Sequence, residues 1–186
     1  LKSYLTSRGS FEKAQAFSPT NELVRDYIDS INGILGEGDN ASIRSELAPA
    51  ALPKDLQKLF DAPATGNTLD GYGAFFLTRV TGYEFDGGDR VTRTNYEQIK
   101  VQDAQGIEQF STLEYNFDPG FEQLYVNSLI VRNADGEIIA EADRNAFYVT
   151  TTVDGYEAST EQTAHLPVPS LKPGTVIEVV VSKLIG

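Results

Sequence analysis

The chain contains 186 residues, of which 40% are hydrophobic, so it can form the core of one ordinary domain with an appended segment. Its 27 acidic and 15 basic residues give a net charge of −12, which argues against nucleic acid or an anionic membrane surface as a partner. The sequence has no cysteine, which excludes disulfides, thiolate metal sites and a cysteine nucleophile.

Hydropathy and the first residue bear on cellular location. No apolar run approaches the roughly 20 residues that cross a bilayer, so no membrane-spanning segment is predicted. The chain begins with Leu1 and contains no methionine, which indicates a processed product or a fragment from which a targeting signal could have been removed.

The first third of the chain carries a helical pattern. Apolar residues recur at helical spacing over residues 4–17, where Ser10 is the expected N-cap, and again over residues 22–35. A third helix is predicted over residues 52–60, with Pro53 in its first turn.

A run rich in proline, glycine and threonine follows at residues 61–71 and is typical of a linker. The sequence therefore predicts a helical segment at 1–62, a linker at 63–71 and a second domain at 72–186.

From residue 72 the hydrophobic period changes to about two, which indicates β-strands separated by Asp-, Gly- and Pro-rich turns. Many short strands without intervening helices predict a mainly β protein, an antiparallel β-sandwich behind the N-terminal α-helical segment. The strand at 156–166 is more polar and is expected at a sheet edge. The predicted strands are 72–85, 90–101, 107–115, 121–131, 137–140, 147–153, 156–166 and 175–181.

The last of these strands is apolar on both faces, which suits a central strand. If it were exposed instead, it would invite pairing with another chain. One hypothesis is therefore a structural assembly subunit that pairs with a neighbour through an exposed edge formed by Val176, Ile177, Val179 and Val180.

Two turns contain carboxylates that could bind calcium: Asp86 and Asp89 in one, Asp135 in the other. Hairpin-turn chemistry explains both turns without a metal, because Asp, Asn and Gly tolerate positive φ. His165 is the only histidine and has no second histidine or cysteine to complete a metal or catalytic site. We predict no metal, no cofactor and no catalytic residue, and an ordinary strand hydrogen bond for His165.

Aromatic residues could form a stacking platform for a sugar or a peptide. The candidate binding residues are Tyr115, Phe117, Phe121 and Tyr125. Their placement along strands makes core packing the default interpretation. Carbohydrate binding by an exposed aromatic face is thus a further hypothesis.

An ordered set of short motifs over residues 69–183 carries a family resemblance. It includes Gly106-Ile107-Glu108, the stretch 121–126, the turn at 135–139 and the stretch 171–178. This region resembles a bacterial β-domain family of unknown function whose members usually lie N-terminal to a transglutaminase-like domain. Tetratricopeptide repeats often lie further upstream in that family, and residues 8–14 are similar to part of one such repeat. Only one such unit is found, and a lone unit cannot bury its own face, so an ordinary amphipathic helix pair is the default interpretation of residues 8–14.

The resemblance implies a non-catalytic accessory module of a larger, periplasmic or extracellular protein. A protein partner or an adjacent transglutaminase-like domain is the implied partner. The β-domain of that family normally continues with further strands. We therefore expect the domain to be truncated at its C-terminal end, the missing strands lying in a removed portion or coming from another chain.

Overall fold

The computed structural model describes residues 2–35, 41–62, 68–151 and 161–186. Four α-helices and two short 3₁₀ turns are present in these residues: α1 Lys2–Phe17, α2 Glu22–Leu35, a turn at Ala41–Arg44, α3 Lys54–Asp61, α4 Ala104–Phe110 and a turn at Arg144–Ala146. The strands are β1 Ala74–Phe85, β2 Val91–Val101, β3 Thr112–Phe117, β4 Glu122–Arg132, β5 Ile138–Glu141, β6 Tyr148–Thr151, β7 Gln162–Pro167 and β8 Val176–Ile185.

The strands form two antiparallel sheets, which confirms the predicted mainly β class with an N-terminal helical segment. The larger sheet has the order β1-β2-β8-β4-β5, and the smaller one the order β3-β7-β6. Buried residues of both sheets share one hydrophobic cluster, so the sheets pack face to face as a sandwich. Its most enclosed members include Ile99, Leu124, Phe147, Leu166 and Ile177.

Strand β8 lies in the middle of the larger sheet, paired with β2 on one side and β4 on the other. The prediction of a central strand is confirmed. The predicted assembly edge is wrong: Val176, Ile177, Val179 and Val180 are buried, and their strand has a partner on each side. A strand that is apolar on both faces is stable only where both faces are covered.

Strand β7 corrects a second prediction. The polar stretch at 156–166 was expected at an edge, but Gln162–Pro167 lies between β3 and β6 in the smaller sheet. Ala164 and Leu166 are fully buried on its inner face together with Gln162, while Thr163 and His165 alternate with them and are partly exposed. Residues 156–160 of the predicted strand lie outside the described residues.

Helix α4 replaces the beginning of the strand predicted at 107–115. The Asp103 carboxylate caps this helix by accepting a hydrogen bond from the Gly106 amide at 3.0 Å. At the other end of the chain, Ser10 is not an N-cap. It lies inside α1, where its hydroxyl donates to the Thr6 carbonyl oxygen.

Residues 41–61 pack onto the sandwich. Ile43 is fully buried in the core between the sheets, and Phe60 packs on the outer face of the larger sheet against Tyr96 and Val180. Residues on the N-terminal side of the predicted linker at 63–71 thus contact the sandwich, and residues 63–67 of that linker lie outside the described residues.

A buried hydrogen-bond network fastens this segment to the outer face of the larger sheet. The Ala50 amide donates to Thr94 Oγ1 at 2.9 Å, and the Tyr96 hydroxyl donates to the Ala50 carbonyl oxygen at 2.8 Å. Thr94 Oγ1 lies 2.7 Å from Ser182 Oγ, which links β2 to β8. Because these groups are buried, each needs the partner that the others provide.

Candidate binding cleft beside strand β3

The smaller sheet covers only part of the larger one, and the uncovered part forms a cleft of about 750 Å³. Side chains on the inner face of β1 that lie beyond the smaller sheet are exposed: Arg79 is 64%, Tyr83 59% and Phe85 73% exposed. The cleft lies between this inner face of β1 and β2 on one side and α4 and β3 on the other.

The floor of the cleft is polar because β2 changes character along its length. Alternate residues of this strand face inward, and at one end these are Ile99 and Val101, which belong to the core. Towards the other end the inward residues are Glu97, Asn95 and Arg93, all of which line the cleft. One strand thus supplies both the apolar core and the cleft floor.

A buried carboxylate organises the centre of the floor. Arg79 Nε lies 2.9 Å from Glu97 Oε1, and the Tyr115 hydroxyl donates to Glu97 Oε2 at 2.9 Å. The Glu97 side chain is only 6% exposed, so these charge-assisted bonds offset its desolvation. Both carboxylate oxygens are engaged.

Tyr115 connects β3 to this floor. Burial, and after it the neighbouring Glu97 carboxylate, raise the pKa of Tyr115 well above the ordinary tyrosine value. The phenol therefore stays neutral at physiological pH and serves as a hydrogen-bond donor that fixes β3 over β2.

Two cations lie side by side at the far end of the floor. Arg93 and Lys183 are directly opposite each other on β2 and β8. Lys183 Nζ lies 2.7 Å from Glu122 Oε2 and is thereby compensated. Arg93 Nε is buried and makes no hydrogen bond with the described residues. Arg93 is therefore a cation of the cleft without an ion-pair partner in the part of the chain that the structure describes.

The four predicted aromatic binding residues do not form one platform. Tyr115 lines the cleft, whereas Phe117 is buried in the core. Phe121 is 69% exposed at the turn before β4, and the Tyr125 hydroxyl donates to Gln123 on the same strand.

Sequence reasoning missed the charged residues of the cleft floor: Arg79, Arg93, Glu97 and Lys183. The available signal was that Arg93, Asn95 and Glu97 occupy the same alternate positions of β2 as the apolar residues Ile99 and Val101.

Two of the three calcium candidates, Asp86 and Asp135, take part in hydrogen bonds within their turns. Asp86 Oδ1 accepts from the Gly88 amide at 2.7 Å, and the Asp135 amide donates to Asn133 Oδ1 at 3.0 Å. The strand register places the turn of Asp86 and Asp89 at one end of the larger sheet and the turn of Asp135 at the other. Within the described ranges, no group of three or more acidic or histidine side chains could hold a metal ion.

His165 lies on the outer face of the smaller sheet. Its Nδ1 is 3.1 Å from Glu114 Oε1, its Nε2 is 2.8 Å from Thr150 Oγ1, and its ring stacks on Tyr148 with centroids 4.6 Å apart. The order of carboxylate, imidazole and hydroxyl is that of hydrolase triads. Here it follows directly from strand register, since His165 faces Glu114 on one side and Tyr148 on the other. We interpret it as a cross-strand array, and the predicted ordinary strand hydrogen bond is present.

These features define a class: an antiparallel β-sandwich with an open, polar cleft beside an edge strand. The sequence model of one protein family, DUF3857, matches residues 88–185, which is more than half of the chain. This family is described as a domain of unknown function with a solved structure. The chain belongs to this family. The matched region contains β2, β3 and β8, so it includes most of the cleft floor.

The chain matches no curated protein. Its fold is similar to a crystal structure described as a putative protease from Parabacteroides distasonis, with a TM-score of 0.55 and 14% sequence identity. The match covers 61% of this chain and 23% of that protein, so it corresponds to less than a quarter of that protein's length. At this identity the likeness establishes the fold alone.

Proposed function

We propose that this chain is a non-catalytic accessory module of a larger transglutaminase-like bacterial protein, located in the periplasm or outside the cell. Its role is to hold a polypeptide, either a protein partner or the adjacent domain, in the cleft beside β3. The observation that carries this proposal is the cleft itself. Its buried ionic floor lies next to β3, which has a pairing partner on one edge only within the described residues.

A binding role fits the chemistry of the floor. Both oxygens of Glu97 are engaged by Arg79 and Tyr115, so this carboxylate is held as a structural anion. A transglutaminase-like reaction needs a cysteine nucleophile, and the sequence has none. A neighbouring domain would therefore supply any such reaction.

The ordered motifs at 69–183 favour a transglutaminase-like neighbour. Residues 8–14 lie inside the single helix α1, so they add no support for tetratricopeptide-like helices upstream. The similar Parabacteroides distasonis protein is described as a putative protease and is much longer than this chain. A protein of that length has room for a separate domain that processes polypeptide. The module proposed here would hold the polypeptide beside such a domain.

Self-assembly through a sheet edge is a second candidate function. The edge strand that would pair with another chain is β1, because β8 is central. Strand β1 is an outer strand of 12 residues and exposes the large side chains of Tyr83 and Phe85. Long edges with exposed apolar residues favour pairing with another chain. Sedimentation of the wild type and of Tyr83→Lys decides this candidate: a dimer that the substitution dissolves would support it, and a wild-type monomer would remove it.

The accessory role is tested with chain 1–186 and two generic polypeptide assays. We expect no cleavage of fluorescent casein and no incorporation of a dansylated amine into casein. Intact-mass analysis of the protein from its source should give a mass well above that of chain 1–186. Peptide sequencing should then find a Cys-, His- and Asp-containing domain after residue 186. Turnover of casein by the isolated chain would overturn the proposal.

A further inference from the structure

The outer side of β3 is an unfilled strand position. Among the described residues, β3 is the last strand of the smaller sheet and pairs only with β7, while its other side borders the cleft. Neighbouring strands lie about 4.8 Å apart, and facing sheets about 10 Å apart. Tyr115 of β3 already contacts Glu97 of β2, so one further strand beside β3 would lie over β2 and β1. That is the uncovered part of the larger sheet.

The floor beneath this position favours an acidic side chain. Arg79 and Glu97 compensate each other, and Lys183 is paired with Glu122. Arg93 remains, with a buried Nε–H that has no acceptor and with Lys183 as its cross-strand neighbour. The Nε–H is enclosed by protein, so a carboxylate in the cleft would accept from the part of the guanidinium that lines it, and would offset the two like charges of Arg93 and Lys183.

We propose that the cleft binds an extended segment of a separate polypeptide, which adds as a fourth strand to the free edge of β3 and places an Asp or Glu side chain on Arg93. Main-chain hydrogen bonds to β3 supply affinity, and the ion pair with Arg93 fixes the register. This inference rests on the proposed function and gives it a binding mode and a sequence preference.

The probe is a library of random twelve-residue peptides displayed on phage, selected on chain 1–186. We expect the selected peptides to share one acidic residue and to lack proline at their centre, because proline removes a main-chain donor. A synthetic peptide from this set should shift the amide resonances of β3. Its affinity should fall about 10- to 100-fold in Arg93→Gln, and equally when its acidic residue is replaced by the amide.

Arg25→Gln is the matched control, because Arg25 is an exposed arginine on α2, away from the cleft, and should leave affinity unchanged. Arg93→Gln should fold with a thermal midpoint at or above that of the wild type, since it removes a buried unsatisfied donor. Arg93→Lys keeps the charge but loses the Nε–H, and should bind with intermediate affinity.

Several results would overturn the inference. The first is that the peptides bind Arg93→Gln as tightly as they bind the wild type, and the second is that the resonance shifts are confined to strands other than β3. The third is that inorganic phosphate binds as tightly as the peptide. The fourth is that the chain forms a dimer which Arg93→Gln dissociates. In each of these cases the proposed non-catalytic role is untouched, although the binding mode given to the cleft is lost. Casein turnover by the isolated chain would instead remove the accessory role, wherever the peptides bind.

Discussion

At the scale of single residues, buried polar groups explain how the outer face of the larger sheet is covered. Thr94 stands at the centre, because its hydroxyl accepts from the Ala50 amide and contacts the Ser182 hydroxyl. Threonine is a common residue in β-strands. Thr94 matters for stability because its hydrogen-bond partners, Ala50 and Ser182, are buried with it.

Replacement of Thr94 by valine keeps the shape but leaves the buried Ala50 amide without its acceptor. We expect a loss of about 1–3 kcal/mol in the free energy of unfolding, measured by urea denaturation. Thr81→Val is the control, since Thr81 makes an exposed hydrogen bond to Asn95 and should change stability by less than about 0.5 kcal/mol. Equal effects at the two positions would contradict the network.

The Tyr115 hydroxyl leads to a prediction about alkaline pH. Its raised pKa means that the folded state keeps the proton after the unfolded state has lost it, above about pH 10. The stability that Tyr115 contributes is therefore fully present below pH 10 and is lost as pH rises towards the folded-state pKa.

Tyr115→Phe should cost about 1–3 kcal/mol near pH 9, because Glu97 loses a donor, and the difference from the wild type should shrink near pH 11. Urea denaturation at the two pH values measures this. Tyr72→Phe, whose ring is 61% exposed, serves as the control near pH 9 and should match the wild type there. A difference between wild type and Tyr115→Phe that does not vary with pH would argue against the buried phenol.

At the scale of elements, the position of α4 depends on a close backbone approach. A Cβ atom at Gly106 would lie 2.0 Å from the Gly73 carbonyl oxygen, so only glycine fits where α4 meets the start of β1. The same carbonyl accepts from the Gln102 amide at 2.7 Å and cannot easily move away.

Gly106→Ala should therefore lower the free energy of unfolding by about 3 kcal/mol or more, measured by thermal unfolding. Gly9→Ala is the matched control, because nothing lies within 4 Å of an added Cβ there and alanine favours helix α1 by about 1 kcal/mol. If Gly106→Ala were as stable as the wild type, the contact with Gly73 would not exist in solution.

At the scale of the whole molecule, the sandwich unit begins before the predicted linker. A chain that starts at residue 41 retains Ile43 in the core and Phe60 on the outer face, and it should unfold cooperatively like the full chain. A chain that starts at residue 62 loses both contacts and should be destabilised by at least the roughly 2–5 kcal/mol that deletion of one buried isoleucine side chain costs. Chemical denaturation compares the two, and a stable chain 62–186 would contradict this boundary.

Much of the fold follows from short-range pattern. The alternation in β2 and β4, the Asp-Gly turn at 135–136 and the helix at 22–35 are set by local chemistry, which sequence expresses directly. The helical character of α4 was missed because its seven residues are too few for a clear period, and because the contact between Gly106 and Gly73 is not local.

The sequence by itself determined the mainly β class, the acidic charge, the lack of a cysteine nucleophile and the apolar strand at 175–181. Only the tertiary structure decided that β8 is central, that Ile43 belongs to the core, and that Arg93 lacks an acceptor beside β3. The physical reason is that periodicity records which residues face inward, whereas strand order and the extent of each sheet decide what they face. On the inner face of β2, the smaller sheet covers Ile99 and leaves Arg93 in the cleft.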